Sequence, residues 1–157
     1  MVNLNLAIRL DGLRMPLKSA LNVAAEMGVR WVELNGRGEI HPRAITDTGL
    51  RHLRKLLDER NLSVASLRFQ TRRGYDNPDG LQRRVEATKA AMEFAYKLGT
   101  RFVINSIGMV PEDESDPRFG TLQAVTSDLG RYGARVGALL AAETGSESGD
   151  ALAKLLD

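Results

Sequence analysis

Apolar residues along this chain come in two alternating rhythms. Short, nearly continuous apolar runs suit strands covered on both faces, and between them apolar residues recur every three or four positions, as on one side of a helix. Residues 4–9 read as the first strand. Pro16 fits as an early helical residue, Leu17, Ala20, Leu21 and Ala24 follow at helical spacing, and Gly28 is placed to end that helix. Residues 30–35 are the second strand. Thr46 and Thr48 offer caps for a helix turning Leu50, Leu53, Leu56 and Leu57 inward.

The third strand is residues 62–68, followed by a polar loop over 70–78 and a long helix from about Asp79. Leu81, Val85, Thr88, Met92 and Ala95 form its stripe and Gly99 its end. Residues 101–106 are the fourth strand, and a weaker helix runs to about Gly133. The run over 136–142 is the fifth strand, ending abruptly in Glu143, and a last helix begins near Ser148 or Gly149. Trp31, Phe102, Met27 and Met92 are taken as core.

One internal echo sharpens the pattern. Residues 27–32 read Met-Gly-Val-Arg-Trp-Val and residues 98–103 read Leu-Gly-Thr-Arg-Phe-Val, each a helix turning into a strand. The repeat unit is therefore a βα pair, which predicts a parallel sheet with right-handed crossovers. Five such units suit two architectures, a complete flavodoxin-like doubly wound sheet or part of an eight-fold barrel, which takes roughly 250 residues when whole. No Gly-rich phosphate loop follows the first strand, where the residues over 11–16 are Asp-Gly-Leu-Arg-Met-Pro.

Composition changes this picture little. The 157 residues, 43% hydrophobic and 27% charged, are one globular α/β domain's worth, read here as a single domain over residues 1–157. No cysteine occurs, so disulfides and thiolate metal sites are excluded, and only His41 and His52 offer imidazole. His41 reads as a surface histidine, and His52, on an exposed helix face, has no assigned role. The N-terminus shows no signal-peptide pattern and no apolar run reaches about 18 residues, so the expectation is a cytoplasmic protein with no membrane partner. A formal charge of +2 makes no compositional case for nucleic acid.

Chemistry concentrates where strands end, since ligands of α/β folds bind beyond the carboxyl ends of the strands. Glu143 is the first candidate, and the start of the next helix is the blander reading of it. Alternation puts Trp31, Glu33 and Asn35 on one face, which makes Glu33 and Asn35 polar groups near the mouth. A salt bridge from Glu33 to Arg9 or Arg68 explains Glu33 equally well. Asn105 and Ser106 end the fourth strand, and one of them faces the site. Arg68, Arg72 and Arg73 are the cations available to a phosphorylated substrate, with a solvated loop face the blander account of the last two.

Four segments taken together resemble a known family: Trp-Val-Glu-Leu over 31–34, Leu-Ser-Val-Ala-Ser-Leu-Arg over 62–68, Leu-Gly-Thr-Arg-Phe-Val-Ile over 98–104 and Ala-Glu-Thr-Gly over 142–145. In this order, at strand ends, they resemble the xylose isomerase-like TIM barrels of sugar phosphate isomerases and epimerases. The resemblance implies a parallel barrel, here apparently truncated to about five βα units. It also implies a divalent metal (Mn, Mg, Co or Zn) at the mouth, with Glu143 as metal ligand and catalytic carboxylate and with Arg9, Glu33, Asn35, Arg68, Asn105 and Ser106 near the substrate. The family's other ligands come from strands six to eight, so the metal site in this stretch is expected to be incomplete and the isolated chain inactive. The implied partner is a small sugar or sugar phosphate. An endonuclease-type relative on the same barrel would need a basic groove and several histidine ligands, and neither is offered here. A partial barrel also leaves strand edges and apolar faces open, which predicts self-association.

Overall fold

The computed structural model describes residues 6–143, 145 and 147–156. Five strands, β1 (Ala7–Arg9), β2 (Trp31–Asn35), β3 (Ser63–Arg68), β4 (Phe102–Ser106) and β5 (Leu139–Glu143), alternate with five helices. These are α1 (Leu17–Glu26), α2 (Asp47–Asp58), α3 (Leu81–Leu98), α4 (Pro117–Val136) and α5 (Gly149–Leu156), and a 3-10 turn, Leu10–Leu13, joins β1 to α1. All strand pairs are parallel and their order is β1-β2-β3-β4-β5. That is the order of consecutive barrel units, and the flavodoxin-like order with β1 between β2 and β3 does not occur. Among the described residues no helix is long and apolar enough to cross a membrane.

Local chemistry explains the boundaries. Thr46 caps α2, its hydroxyl accepting from Gly49 N–H at 3.1 Å. Gly99 ends α3 at φ +83, a conformation open to glycine at little cost. Pro16 stands at the N-cap of α1 rather than inside it, its extended backbone holding the entry. Residues 4 and 5 of the expected first strand lie outside the described residues.

The main departure from expectation is the α4–β5 junction. Apolar continuity assigns Val136 to the strand, but α4 runs on through Val136, is stopped by Gly137 at φ +83, and β5 starts only at Leu139. Gly133 permits this sharp return, because a Cβ there would collide with the Ala138 carbonyl oxygen and come within 2.7 Å of Met92 Cε. Glu143 is consequently the last residue of the strand.

One sheet face carries Val32, Leu34, Val64, Leu67 and Val103, all at most 5% exposed, packed with Leu21, Ala24, Leu53, Met92, Phe94, Leu122 and Leu129 from the helices. The other face is open. At its N-terminal end Trp31, Phe102 and Leu139 are 39%, 48% and 48% exposed, so the expectation that Trp31 and Phe102 are core is corrected. Both occupy strand positions alternate to the buried set, and no helix among the described residues covers that face. Met27, at the end of α1, is likewise exposed, whereas Met92 is fully buried.

Candidate functional site

The open face turns polar toward the C-terminal ends of the strands. A register shift between Val32 and Glu33 brings Ser66 opposite Glu33 and Arg68 opposite Asn35. Such an irregularity re-aims the side chains that follow it. Ser106 stands opposite Glu143 across β4 and β5.

Arg68 is the hub. Its Nη2 donates to Glu143 Oε1 at 2.6 Å and Oε2 at 2.9 Å, while Nη1 lies 4.0 Å from Glu33 Oε1. Gln70 Nε2 also donates to Glu143 Oε2. Glu33 accepts from Ser66 Oγ at 2.9 Å and has Arg9 Nε 3.9 Å from Oε1. Arg9 in turn donates to both oxygens of Asp11, at 2.6 and 3.1 Å, and Asn35 Nδ2 donates to Asp11 Oδ2 at 3.1 Å. Asp11, Arg9, Glu33, Arg68 and Glu143 therefore form a row of alternating sign. The two ion pairs offered as alternatives for Glu33 are both present.

The row sets protonation states. The hydrogen bond from Arg68, reinforced by Gln70, holds the Glu143 carboxyl below its ordinary range against partial desolvation. The hydrogen bond from Arg9 does the same for Asp11, and Asp11 raises Arg9. Both carboxylates are ionised at neutral pH. Chemically, this is an anionic acceptor flanked by cationic donors that can stabilise a developing oxyanion.

Of the residues read from sequence, Arg9, Glu33, Asn35, Arg68 and Glu143 join one connected row, with Ser106 opposite Glu143. Asn105 points the other way. It is fully buried, its Oδ1 accepting from Thr71 N at 3.0 Å and its Nδ2 donating to Tyr75 Oη at 2.8 Å, so it fixes the loop after β3 from behind the sheet. Alternation along β4 makes this and the outward position of Ser106 one fact. Ser66, Asp11 and Gln70 were missed. Asp11 and Gln70 each sit two residues beyond a site arginine that ends a strand, and carrying the alternation past the strand end is the signal that finds them.

A divalent ion does not fit the described residues alone. Among them no group of three or more carboxylate or imidazole side chains is placed to hold one. Each carboxylate of the row is already neutralised by an arginine.

The xylose isomerase-like TIM barrel profile matches residues 21–156. A xylose isomerase domain protein from Planctomyces limnophilus is 26% identical over 96% of the chain, with a TM-score of 0.80, and 56% of its own length is covered. A xylose isomerase-like TIM barrel protein from Mycobacterium smegmatis, solved in complex with magnesium, has 14% identity and a TM-score of 0.76 over 97% of this chain and 60% of its own. A D-psicose 3-epimerase solved in the presence of D-fructose has 13% identity and a TM-score of 0.68 over 88% of this chain and 51% of its own. The chain thus spans little more than half of each of these relatives. No curated protein matches it. With the parallel order of its five βα units and a profile match over most of its length, this chain belongs to the xylose isomerase-like TIM barrel family.

Proposed function

We propose that this chain supplies the first five βα units, and one wall of the active site, of an isomerase or epimerase acting on a sugar or sugar phosphate. The observation that carries the reading is Glu143, held ionised by Arg68 at the C-terminal end of β5 on the open face of the sheet. Family membership and the D-fructose in the epimerase relative support the substrate class.

In this reading Glu143 removes the proton from a carbon beside the sugar carbonyl, and Arg68 and Arg9 receive the charge that develops on the carbonyl oxygen. Gln70 positions the carboxylate. Arg68 acts twice: while it holds Glu143 the carboxylate is a weak base, and when the substrate oxygen draws Arg68 away the proton affinity of Glu143 recovers. Glu33, Asn35 and Ser106 offer hydrogen bonds to substrate hydroxyls. The divalent metal expected for the family (Mn, Mg, Co or Zn) would take Glu143 only in exchange for Arg68, and its remaining ligands would come from outside these residues. Proton transfer is tested by incubating the protein, alone and joined to the units that follow the fifth in the Planctomyces limnophilus relative, with D-fructose and with D-fructose 6-phosphate in heavy water, with and without manganese. Deuterium entering the carbons beside the carbonyl, abolished by Glu143→Gln, is expected. No exchange from either sugar under any condition overturns the reading.

The exposure of Trp31, Phe102 and Leu139 on the open face favours a second reading, a half-barrel that covers this face with another copy of itself. Sedimentation tests it. A concentration-dependent dimer lost in Trp31→Glu supports it, and a monomer at all concentrations excludes it.

A further inference from the structure

Behind the mouth of the sheet, the loop after β2, the loop after β3 and the start of α3 border an open cavity of about 600 Å³. Arg37, Arg43, Arg72, Arg73, Arg83 and Arg84 line it, with Asp79 the single carboxylate among the lining residues. Six positive charges against one negative is far from the chain's overall +2. The near-neutral total conceals the cluster, because the arginines are scattered over two loops and a helix start that come together only when β2 and β3 pair. The expectation that this stretch offers no basic groove is corrected here.

Most of these cations lack an internal counter-charge. Asp79 is taken by Arg73 at 3.1 Å. Arg84 donates to the backbone carbonyls of Asn77 and Asp79, which pins the loop, and its Nε is buried with no acceptor among the described residues. Arg37, Arg43, Arg72 and Arg83 have no carboxylate partner among the described residues. Arg37 instead lies over the Phe69 ring, 4.0 Å from its centroid, where desolvation and then the charge of Arg72 push it below its ordinary pKa. Like charges gathered without a partner are a standing cost that a bound anion relieves. Gly80, also in the lining, stands at the N-cap of α3 with no side-chain cap, so the positive end of that helix dipole lies on the same side.

We propose that this cavity binds a tetrahedral oxyanion of the phosphate class, with Arg72 and Arg83 as its principal charge partners. The volume, about 600 Å³, lies within the range of small-molecule sites. Two links join the cavity to the Arg68–Glu143 pair: Thr71 of its lining follows Gln70, and Arg37 N–H donates to Asn35 Oδ1 at 2.8 Å. On the proposed function, with which this part of the inference stands or falls, the ligand is the phosphate of a sugar phosphate whose carbonyl end lies at Glu143. The other source of the same chemistry is a free phosphate-class effector.

The test is calorimetric titration of the protein with inorganic phosphate, D-fructose 6-phosphate and D-fructose, alongside Arg72→Gln, Arg83→Gln and the double variant. Both arginines are solvent-exposed, and thermal melting checks that the variants keep their fold. Saturable phosphate binding, weakened about tenfold by each substitution and about a hundredfold by both, is expected. Fructose 6-phosphate binding tighter than phosphate, with the excess lost in Glu143→Gln, identifies the substrate source. Equal binding of the two, indifferent to Glu143→Gln, identifies a free anion, leaving the oxyanion site standing while counting against the sugar reading. No saturable phosphate binding at 10 mM, about the weak limit for so charged a pocket, or binding unchanged in the double variant, overturns the inference.

Discussion

Arg68 and Glu143 lie 75 residues apart in sequence, yet one guanidinium nitrogen of Arg68 reaches both carboxylate oxygens of Glu143, at 2.6 and 2.9 Å. The Glu143 side chain keeps 37% of its surface exposed against 16% for Arg68, so water screens the pair from one side. A double-mutant cycle of Arg68→Ala and Glu143→Gln, read by urea unfolding, is expected to give a coupling of about 1 kcal/mol, below that of a fully buried pair. Arg68→Ala should be the more damaging single change, because it takes a cation from Glu33 as well as from Glu143. Strictly additive single effects would show that the contact carries no energy.

Acid should weaken the same region. Glu143 and Asp11 both have folded pKa values below their ordinary 4.5 and 3.8, so their contribution is present above those values and is lost as pH falls through the lower, folded ones. Urea midpoints measured from pH 7 down to pH 3 should therefore fall below about pH 4.5, and the fall should be shallower in Arg68→Gln. An unchanged slope in that variant would remove Glu143 from the acid response.

Behind the sheet, Asn105, Thr71, Tyr75 and Thr88 form a closed polar network in an apolar setting. Tyr75 Oη contacts Thr88 Oγ1 at 2.7 Å, and burial holds its phenol above the ordinary pKa. Asn105→Ala is expected to cost about 2–4 kcal/mol, since it leaves Thr71 N–H and the tyrosine hydroxyl short of partners, and Tyr75→Phe about 1–2 kcal/mol. Chemical denaturation reads both. Hydrogen exchange at Thr71 N–H should accelerate in Asn105→Ala, and unchanged protection would place the loop's anchor elsewhere.

Two glycines three residues apart in α4 should respond oppositely to the same substitution. Gly130 has open space where a Cβ would go, so Gly130→Ala should stabilise by about 0.5–1 kcal/mol through helix propensity. Gly133 has the Ala138 carbonyl there, and Gly133→Ala should destabilise by about 1–3 kcal/mol despite the same propensity gain. Melting temperatures that move in the same direction would contradict the junction geometry.

The order of elements was legible because each βα unit is written twice over, in a continuous apolar strand and a three-to-four helical stripe. Glu143, Arg68, Glu33 and Arg9 were legible because each is a charge at or near the end of such a strand. Asn105 and Ser106 could not be separated, since alternation fixes only that they oppose one another and the packing of Tyr75 selects the phase. Ser66 was hidden by the register shift at Glu33. Trp31 and Phe102 were misjudged because an aromatic at a strand start usually packs, and no helix among the described residues covers their face. The arginine cavity was invisible as a unit: Arg72–Arg73 and Arg83–Arg84 are two separate sequence pairs, and Arg37 and Arg43 join them only through a third segment.

Trp31 gives the open face a built-in reporter. It is the chain's single tryptophan and stands 39% exposed there, so its fluorescence comes from that surface alone. Anything that settles over the indole and excludes water moves its emission to shorter wavelength, whereas unfolding moves it to longer wavelength. Covering of the face and loss of the fold thus shift one unlabelled spectrum in opposite directions, and each can be followed in real time without altering a residue.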